Sequence, residues 1–173
     1  MLLSKIINKE IKLFKRIENE PRFTGIDYDS RNIKQGMIFA AIEGIKDNGI
    51  NFCNKAIEAG ANTILCDKKY SNKLLKKNVN ILTTKNVRLS ISIITKKLFP
   101  NQPKNILAIT GTNGKTSIAF YLKNIWKKAK INGATIGTLG IRYQNKYIPT
   151  QLTTPDPITL HRSVDFLKKN NIN

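Results

Sequence analysis

At 173 residues, with 40% hydrophobic and 8% aromatic residues, the chain has material for one full domain or two small ones around a packed core. It has no apolar run of about 18 residues, so no transmembrane helix is expected, and the quick alternation of apolar and charged residues over Met1–Glu10 does not fit a signal peptide. Thirty Lys+Arg against eleven Asp+Glu give a net charge of +19, but the cations are mostly lysines spread along the chain among Asn and Ile, which reads as compositional bias on a solvated surface rather than as a nucleic-acid site.

In chain order, Leu3, Ile6, Ile7, Ile11, Phe14 and Ile17 recur near helical spacing and predict a helix over 2–19, stopped by Pro21. Phe23–Asp27 and Met37–Ile42 read as strands. Phe52–Ala59 reads as a helix closed by Gly60, and Asn62–Cys66 as a strand entered from it. A short helix is expected at Leu74–Lys77, a strand at Val79–Thr83 and a helix at Val87–Phe99. This alternation is that of an α/β unit. Cys53 and Cys66 are the only cysteines; they suit a reduced, cytoplasmic protein with two small core residues. With one histidine in no ligand spacing, no zinc site is expected.

Phe99-Pro100-Asn101-Gln102-Pro103-Lys104 reads as a linker, so the domains are set at 1–100 and 101–173. The second opens with an apolar run, Ile106–Ile109, taken as a buried strand. Thr110-Gly111-Thr112-Asn113-Gly114-Lys115-Thr116-Ser117 follows, and then a helix to about residue 129. Strand, glycine-bearing turn and helix form a phosphate cradle. Glycines turn main-chain N–H groups inward, the helix start adds a positive dipole end, Lys115 adds a cation, and the Thr116 hydroxyl can reach a magnesium ion. The full G-x-x-x-x-G-K-[ST] pattern is not met, because Ile109 stands where its first glycine would be. ATP is the expected ligand, held by Gly111, Thr112, Asn113, Gly114, Lys115, Thr116 and Ser117. A strand near Ala134–Ile136, a hairpin around Gln144–Lys146 and a helix over Ile158–Lys169, capped by Asp156-Pro157, complete the reading. Two parallel strands and a hairpin are too few for a mononucleotide-binding sheet, so this domain reads as the start of an incomplete one.

Several stretches carry a family resemblance. Asp29-Ser30-Arg31, Gly36, the strand Met37–Ile42, Gly44, Asp47, Gly49, Phe52, Ala56 and Gly60-Ala61 resemble the first domain of the Mur ligases, and Thr110–Thr116 looks like that family's ATP loop. Gln35-Gly36 stands where the family usually has Pro-Gly. Thr135–Gly140 and Leu152-Thr153-Thr154-Pro155-Asp156-Pro157 resemble its tripeptide synthetases (the MurE type). The resemblance implies an α/β fold in which a small substrate domain precedes a phosphate-loop domain. It implies a cytoplasmic ligase of peptidoglycan synthesis, working as a monomer with ATP and Mg²⁺, that adds a diamino acid to UDP-N-acetylmuramoyl-L-Ala-D-Glu through an acyl phosphate. Meso-diaminopimelate is favoured over L-lysine. Lys115 is the catalytic cation and Thr116 the metal ligand. Tyr28, Ser30, Lys46, Thr153 and Thr154 are the substrate contacts, with Asp29 and Arg31 bracing the turn. His161 and Trp126 are read as structural. A MurF-type ligase, or a remnant that binds UDP-sugar or nucleotide without turnover, is the alternative. The family's further metal-binding glutamate, carbamylated lysine, histidine and amino-acid-binding domain would lie beyond Asn173, so the chain alone is expected to be inactive as a ligase.

Overall fold

The computed structural model describes residues 1–17, 21–44, 47–150 and 154–172. The chain divides into two units, Met1–Leu98 and Phe99–Asn173. In the first, five strands form one sheet: β1 (Lys12–Lys15), β2 (Ile26–Asp27), β3 (Ile38–Ala40), β4 (Thr63–Asp67) and β5 (Asn80–Thr84), in the spatial order β1-β5-β4-β3-β2. Strands β2 to β5 are mutually parallel, and β1 closes the β5 edge antiparallel. Every residue of β3 and β5 is buried, as expected of parallel strands covered on both faces. On one face Phe39, Ala41, Ile64, Cys66 and Ile81 pack with Cys53 and Ala56 of helix α1 (Cys53–Glu58). The alternate residues Ile38, Leu65 and Leu82 are fully buried on the other face, where Val87, Ile91 and Ile94 are the buried side of helix α2 (Val87–Leu98).

The helix expected over 2–19 does not form. A single 3₁₀ turn, Leu3–Lys5, precedes β1. Between them the Asn8 side-chain oxygen accepts from the N–H groups of Glu10 at 2.7 Å and Ile11 at 3.0 Å, an Asx turn that offers the backbone an alternative to helix. Leu3, Ile6 and Ile11 are buried as the spacing demanded, but from a 3₁₀ turn and the bends that lead into β1. The short helix expected at Leu74–Lys77 is instead a 3₁₀ stretch over Lys68–Leu74, started by the Asp67 carboxylate accepting from Lys69 N–H at 2.9 Å.

The second unit holds helix α3 (Lys115–Lys128), an antiparallel meander of β6 (Ala134–Gly137), β7 (Gly140–Tyr143) and β8 (Lys146–Ile148), and helix α4 (Pro157–Lys169). Its core is small: Ile141, Tyr143, Leu167 and Ile172, with Ala134, Ile136 and Ile148 against them. Tyr143 meets Phe166 edge-on, with centroids 5.7 Å apart. The strand expected at 106–110 is absent. The segment has no ladder partner among the described residues, and Ile106 and Leu107 are 57% and 60% exposed. An apolar run becomes a strand only where a neighbour takes up its N–H and C=O groups, and β6 pairs with β7 alone.

Among the described residues of this unit, one charged residue, Asp165, is buried. The Asp165 carboxylate accepts from Asn101 N–H at 3.0 Å and Asn101 Nδ2 at 2.7 Å, and its other oxygen lies 2.7 Å from Lys169 Nζ. Burial pushes this carboxyl up, but the bonds from Lys169 and Asn101 outweigh it and hold it below the usual range. A group with a lowered folded value stabilises above its unfolded value, near 3.9, and the benefit is lost as pH falls through the folded value. Asp165→Ala should therefore cost about 1–3 kcal/mol at pH 7 in denaturant unfolding, with the gap to the parent closing below about pH 3. Burial also pushes both thiols, Cys53 and Cys66, up to about 12. Neither should react with a thiol reagent at pH 8 until denaturant opens the first unit, and prompt labelling of the native chain would contradict this packing.

Candidate functional site

The entrance to α3 is built by two glycines. Gly111 has φ +140° and Gly114 φ +77°, values an L side chain adopts only under strain. Gly114 is the residue before the helix, and no side chain caps it. Ile118 N–H is bonded to the Gly114 carbonyl, so the amides of Lys115, Thr116 and Ser117 precede the helical ladder and face outward from its first turn. No acidic residue lies in that turn. The Lys115 ammonium folds back over the loop, donating to the Gly111 carbonyl and, at 3.1 Å, to the Thr112 carbonyl. Free amides, a dipole end and a cation meet at one point, which is what a phosphate group requires. Thr112, Asn113, Thr116 and Ser117 are exposed around it.

Beside this entrance lies a cleft of about 380 Å³. Lys115 and Thr116 line it together with Thr154, Pro155, Thr135 and Thr138, and Ile109, Ala119 and Trp126 give it apolar walls. The structure thus brings the phosphate loop and the Thr154 segment to one cavity. Asp156 fixes the exit of that segment, accepting from Ile158 N–H at 2.9 Å and Thr159 N–H at 3.2 Å, with Pro157 starting α4. Its approach is tied to the sheet by the Thr150 hydroxyl, which donates to the Gly137 carbonyl at 3.1 Å. Arg142, from β7, also lines the cleft. Burial lowers the affinity of Lys123 for its proton, and the neighbouring charges of Arg142 and Lys127 lower it further. Thr135, Thr138 and Arg142 were not singled out from sequence as site residues; the only signal was their place in or beside the Thr135–Gly140 stretch.

In the first unit, the loops after β2, β3 and β4 leave the sheet at the same edge, the carboxyl ends of parallel strands, where open α/β sheets bind ligands. Tyr28, 41% exposed, and half-buried Ser30 stand just beyond β2. The Asp29 carboxylate accepts from Arg31 N–H at 3.0 Å, Nε at 2.9 Å and Nη2 at 2.6 Å, so these two brace the turn as expected. The Arg31 guanidinium holds the Asp29 carboxyl below its ordinary value. Lys46 and Thr153 lie outside the described residues. His161 sits half-buried on α4, with Gln102 Nε2 3.4 Å from its Nδ1, and Trp126 lies half-buried against Gly133. Among the described residues no group of three or more His, Cys, Asp or Glu is placed to hold a metal ion. The exposed Thr116 hydroxyl is a side-chain oxygen at this entrance that could hold a divalent cation.

Residues 109–173 match a family model described as the Mur ligase middle domain, and residues 22–100 match one described as the Mur ligase family, catalytic domain. Two relatives are both named UDP-N-acetylmuramoyl-L-alanyl-D-glutamate--2,6-diaminopimelate ligase. The protein from Bradyrhizobium diazoefficiens is 36% identical over 86% of this chain and 30% of its own length. That from Mesorhizobium japonicum is 37% identical over 80% of this chain and 28% of its own. A solved structure carrying the same enzyme name superposes with a TM-score of 0.70 at 25% identity, over 87% of this chain and 30% of that one. The chain thus spans about 30% of the length of the relatives it matches.

Replacing Gly114 by alanine tests the cradle. A side chain strained by about 1–2 kcal/mol at φ +77° lets the unliganded loop relax, and drawing it back should weaken the expected binding of ATP about five- to thirtyfold by calorimetry; an unchanged affinity with a folded variant would separate this loop from nucleotide binding.

Proposed function

The chain belongs to the Mur ligase family, and on that premise we propose that it forms the front part of the ligase that adds a diamino acid to UDP-N-acetylmuramoyl-L-Ala-D-Glu in peptidoglycan synthesis. The observation that carries this reading is the shared cleft, in which Lys115 and Thr116 of the phosphate loop and Thr154 of the Thr-Thr-Pro segment line one cavity. A phosphoryl donor and an acceptor peptide must meet in such a space. The names of the relatives support diaminopimelate as the added amino acid and the muramoyl dipeptide as its acceptor. The protein works in the cytoplasm as a monomer. No helix among the described residues is long and apolar enough to cross a membrane.

In this reading the second unit takes ATP. The amides at the start of α3 and the Lys115 ammonium receive the terminal phosphates, with Gly111, Thr112, Asn113, Gly114 and Ser117 shaping the loop. Magnesium, held by the Thr116 hydroxyl and phosphate oxygens, would neutralise charge on the transferring group. The D-Glu side-chain carboxylate attacks the γ-phosphorus, an O–P bond forms and ADP departs. The amine of the diamino acid then attacks the acyl-phosphate carbonyl, loses a proton and expels phosphate, leaving an amide. Lys115 serves by stabilising charge on the transferring phosphoryl group. Thr153 and Thr154 hydrogen-bond the peptide end of the acceptor, while Tyr28, Ser30 and Lys46 meet its uridine diphosphate end at the edge of the first unit's sheet.

Calorimetry on the chain should give magnesium-dependent heat with ATP that Lys115→Ala reduces at least about a hundredfold in affinity or abolishes. In the whole ligase, turnover should need ATP, UDP-N-acetylmuramoyl-L-Ala-D-Glu and meso-diaminopimelate together. A folded parent that takes up neither nucleotide, or a whole ligase that accepts only the UDP-linked tripeptide, would overturn the proposal.

A further inference from the structure

Arg142 and Lys115 are the cations that line the cleft of the second unit. Arg142 pairs across the meander with Thr135 of β6 and Tyr147 of β8, and side chains directly opposite one another share a face. The other face carries Ile136, Ile141 and Ile148 of the small core. Arg142 therefore stands away from that core, exposed, and lines the cleft together with Thr135. Its guanidinium is fixed at two points. Nε donates to the Leu139 carbonyl at 3.2 Å, and the guanidinium carbon lies 5.4 Å from the Tyr147 ring centroid. Both Nη groups are without a hydrogen-bond partner among the described residues. Those two groups are the prongs that a carboxylate takes up side by side.

The unit's own acidic side chains are committed elsewhere. It has two, Asp156 and Asp165, against eleven lysines and arginines. Asp156 takes two amides at the start of α4, and Asp165 takes Asn101 and Lys169. The charged neighbours of Arg142 add to the local excess. Lys123 on α3 is half-buried, and its affinity for a proton is lowered first by that burial and then by Arg142 and Lys127. A fixed cation without a counter-charge, beside a lysine whose own charge is disfavoured, is stabilised when an anion arrives. Nucleotide phosphates have the loop amides and Lys115 to meet them at the α3 entrance. The acceptor peptide brings the other negative charge. Its terminal D-Glu has two carboxylates, and phosphoryl transfer consumes the one on the side chain. The α-carboxylate stays charged through both steps, so a closed cleft must offer it a partner of its own.

We propose that Arg142 receives the α-carboxylate of the acceptor's D-Glu, pairing with it through its two Nη groups and so selecting a doubly charged peptide end. This rests on the reading of the cleft as the place where phosphoryl donor and acceptor meet. The probes are UDP-N-acetylmuramoyl-L-Ala-D-Glu and the same molecule with its α-carboxyl amidated. Both are titrated calorimetrically into the full chain, Arg142→Gln and Arg142→Lys, with ATP titrated in parallel. Amidation should weaken binding to the parent about tenfold. Arg142→Gln should weaken the acid by about the same factor and leave the amide unaffected, so that the two ligands bind it alike. Arg142→Lys keeps the charge and loses the two-pronged fit, so its preference for the acid should be reduced but present, and it decides the matter should Arg142→Gln fail to fold. Affinity for ATP and the melting temperature should stay at parent values. Equal binding of acid and amide by the parent, an undiminished preference for the acid in either variant, or a matching loss for ATP overturns this role and leaves the proposed function standing. A parent that binds ATP but neither UDP-linked peptide overturns the acceptor assignment, and this role with it.

Discussion

Main-chain amides without a partner inside the protein are the constraint around which the second unit is arranged. A helix start must leave its first N–H groups unbonded, and most proteins cover them with a serine, threonine or aspartate side chain. At α4 this happens: Asp156 takes two amides. At α3 it does not. A left-handed glycine stands at the capping position, and the Lys115 side chain turned toward the loop is a cation that satisfies its carbonyls. The two helices of one small unit thus show the structural and the ligand-seeking solutions to the same backbone problem. The exposed loop threonines and the neighbouring cleft follow from keeping that entrance open.

The two units differ in how far they satisfy themselves. In the first, parallel strands are covered on both faces and β1 pairs with β5. In the second, α3 has no fully buried residue, and Ile118, Tyr121 and Ile125, spaced along one side of it, are 47%, 64% and 59% exposed. Its meander closes on a core of four buried residues. The edges of that unit are set by polar fastenings such as Asp165 with Asn101 and Lys169, more than by apolar bulk.

Local chemistry was legible in the sequence, and non-local pairing was not. The loop Gly111–Ser117, the helix after it, the Asp156-Pro157 start of α4 and the Asp29–Arg31 brace each depend on residues within a few positions of one another, so spacing sufficed. Ile106–Thr110 reads as a strand because it is apolar, but a strand is a relation between two segments, and among the described residues none pairs with it. Residues 2–19 read as a helix because apolar residues recur near helical spacing, and Asn8 turned the backbone instead. The hydrogen bonds from Asn48 to Tyr70 and from Tyr70 to Glu43 join residues 22 and 27 positions apart, which no periodicity could reveal. The convergence of Thr154 with the phosphate loop had the same character: each motif could be read, their shared cavity could not.

Trp126 is the chain's only tryptophan, and its indole forms part of the cleft wall, with Gly133 close enough that no larger residue could sit beneath the ring. The second unit therefore carries the chain's one indole, and the first unit carries none. Emission excited selectively at the indole band is a private optical channel to that cavity, so its filling can be followed without any label.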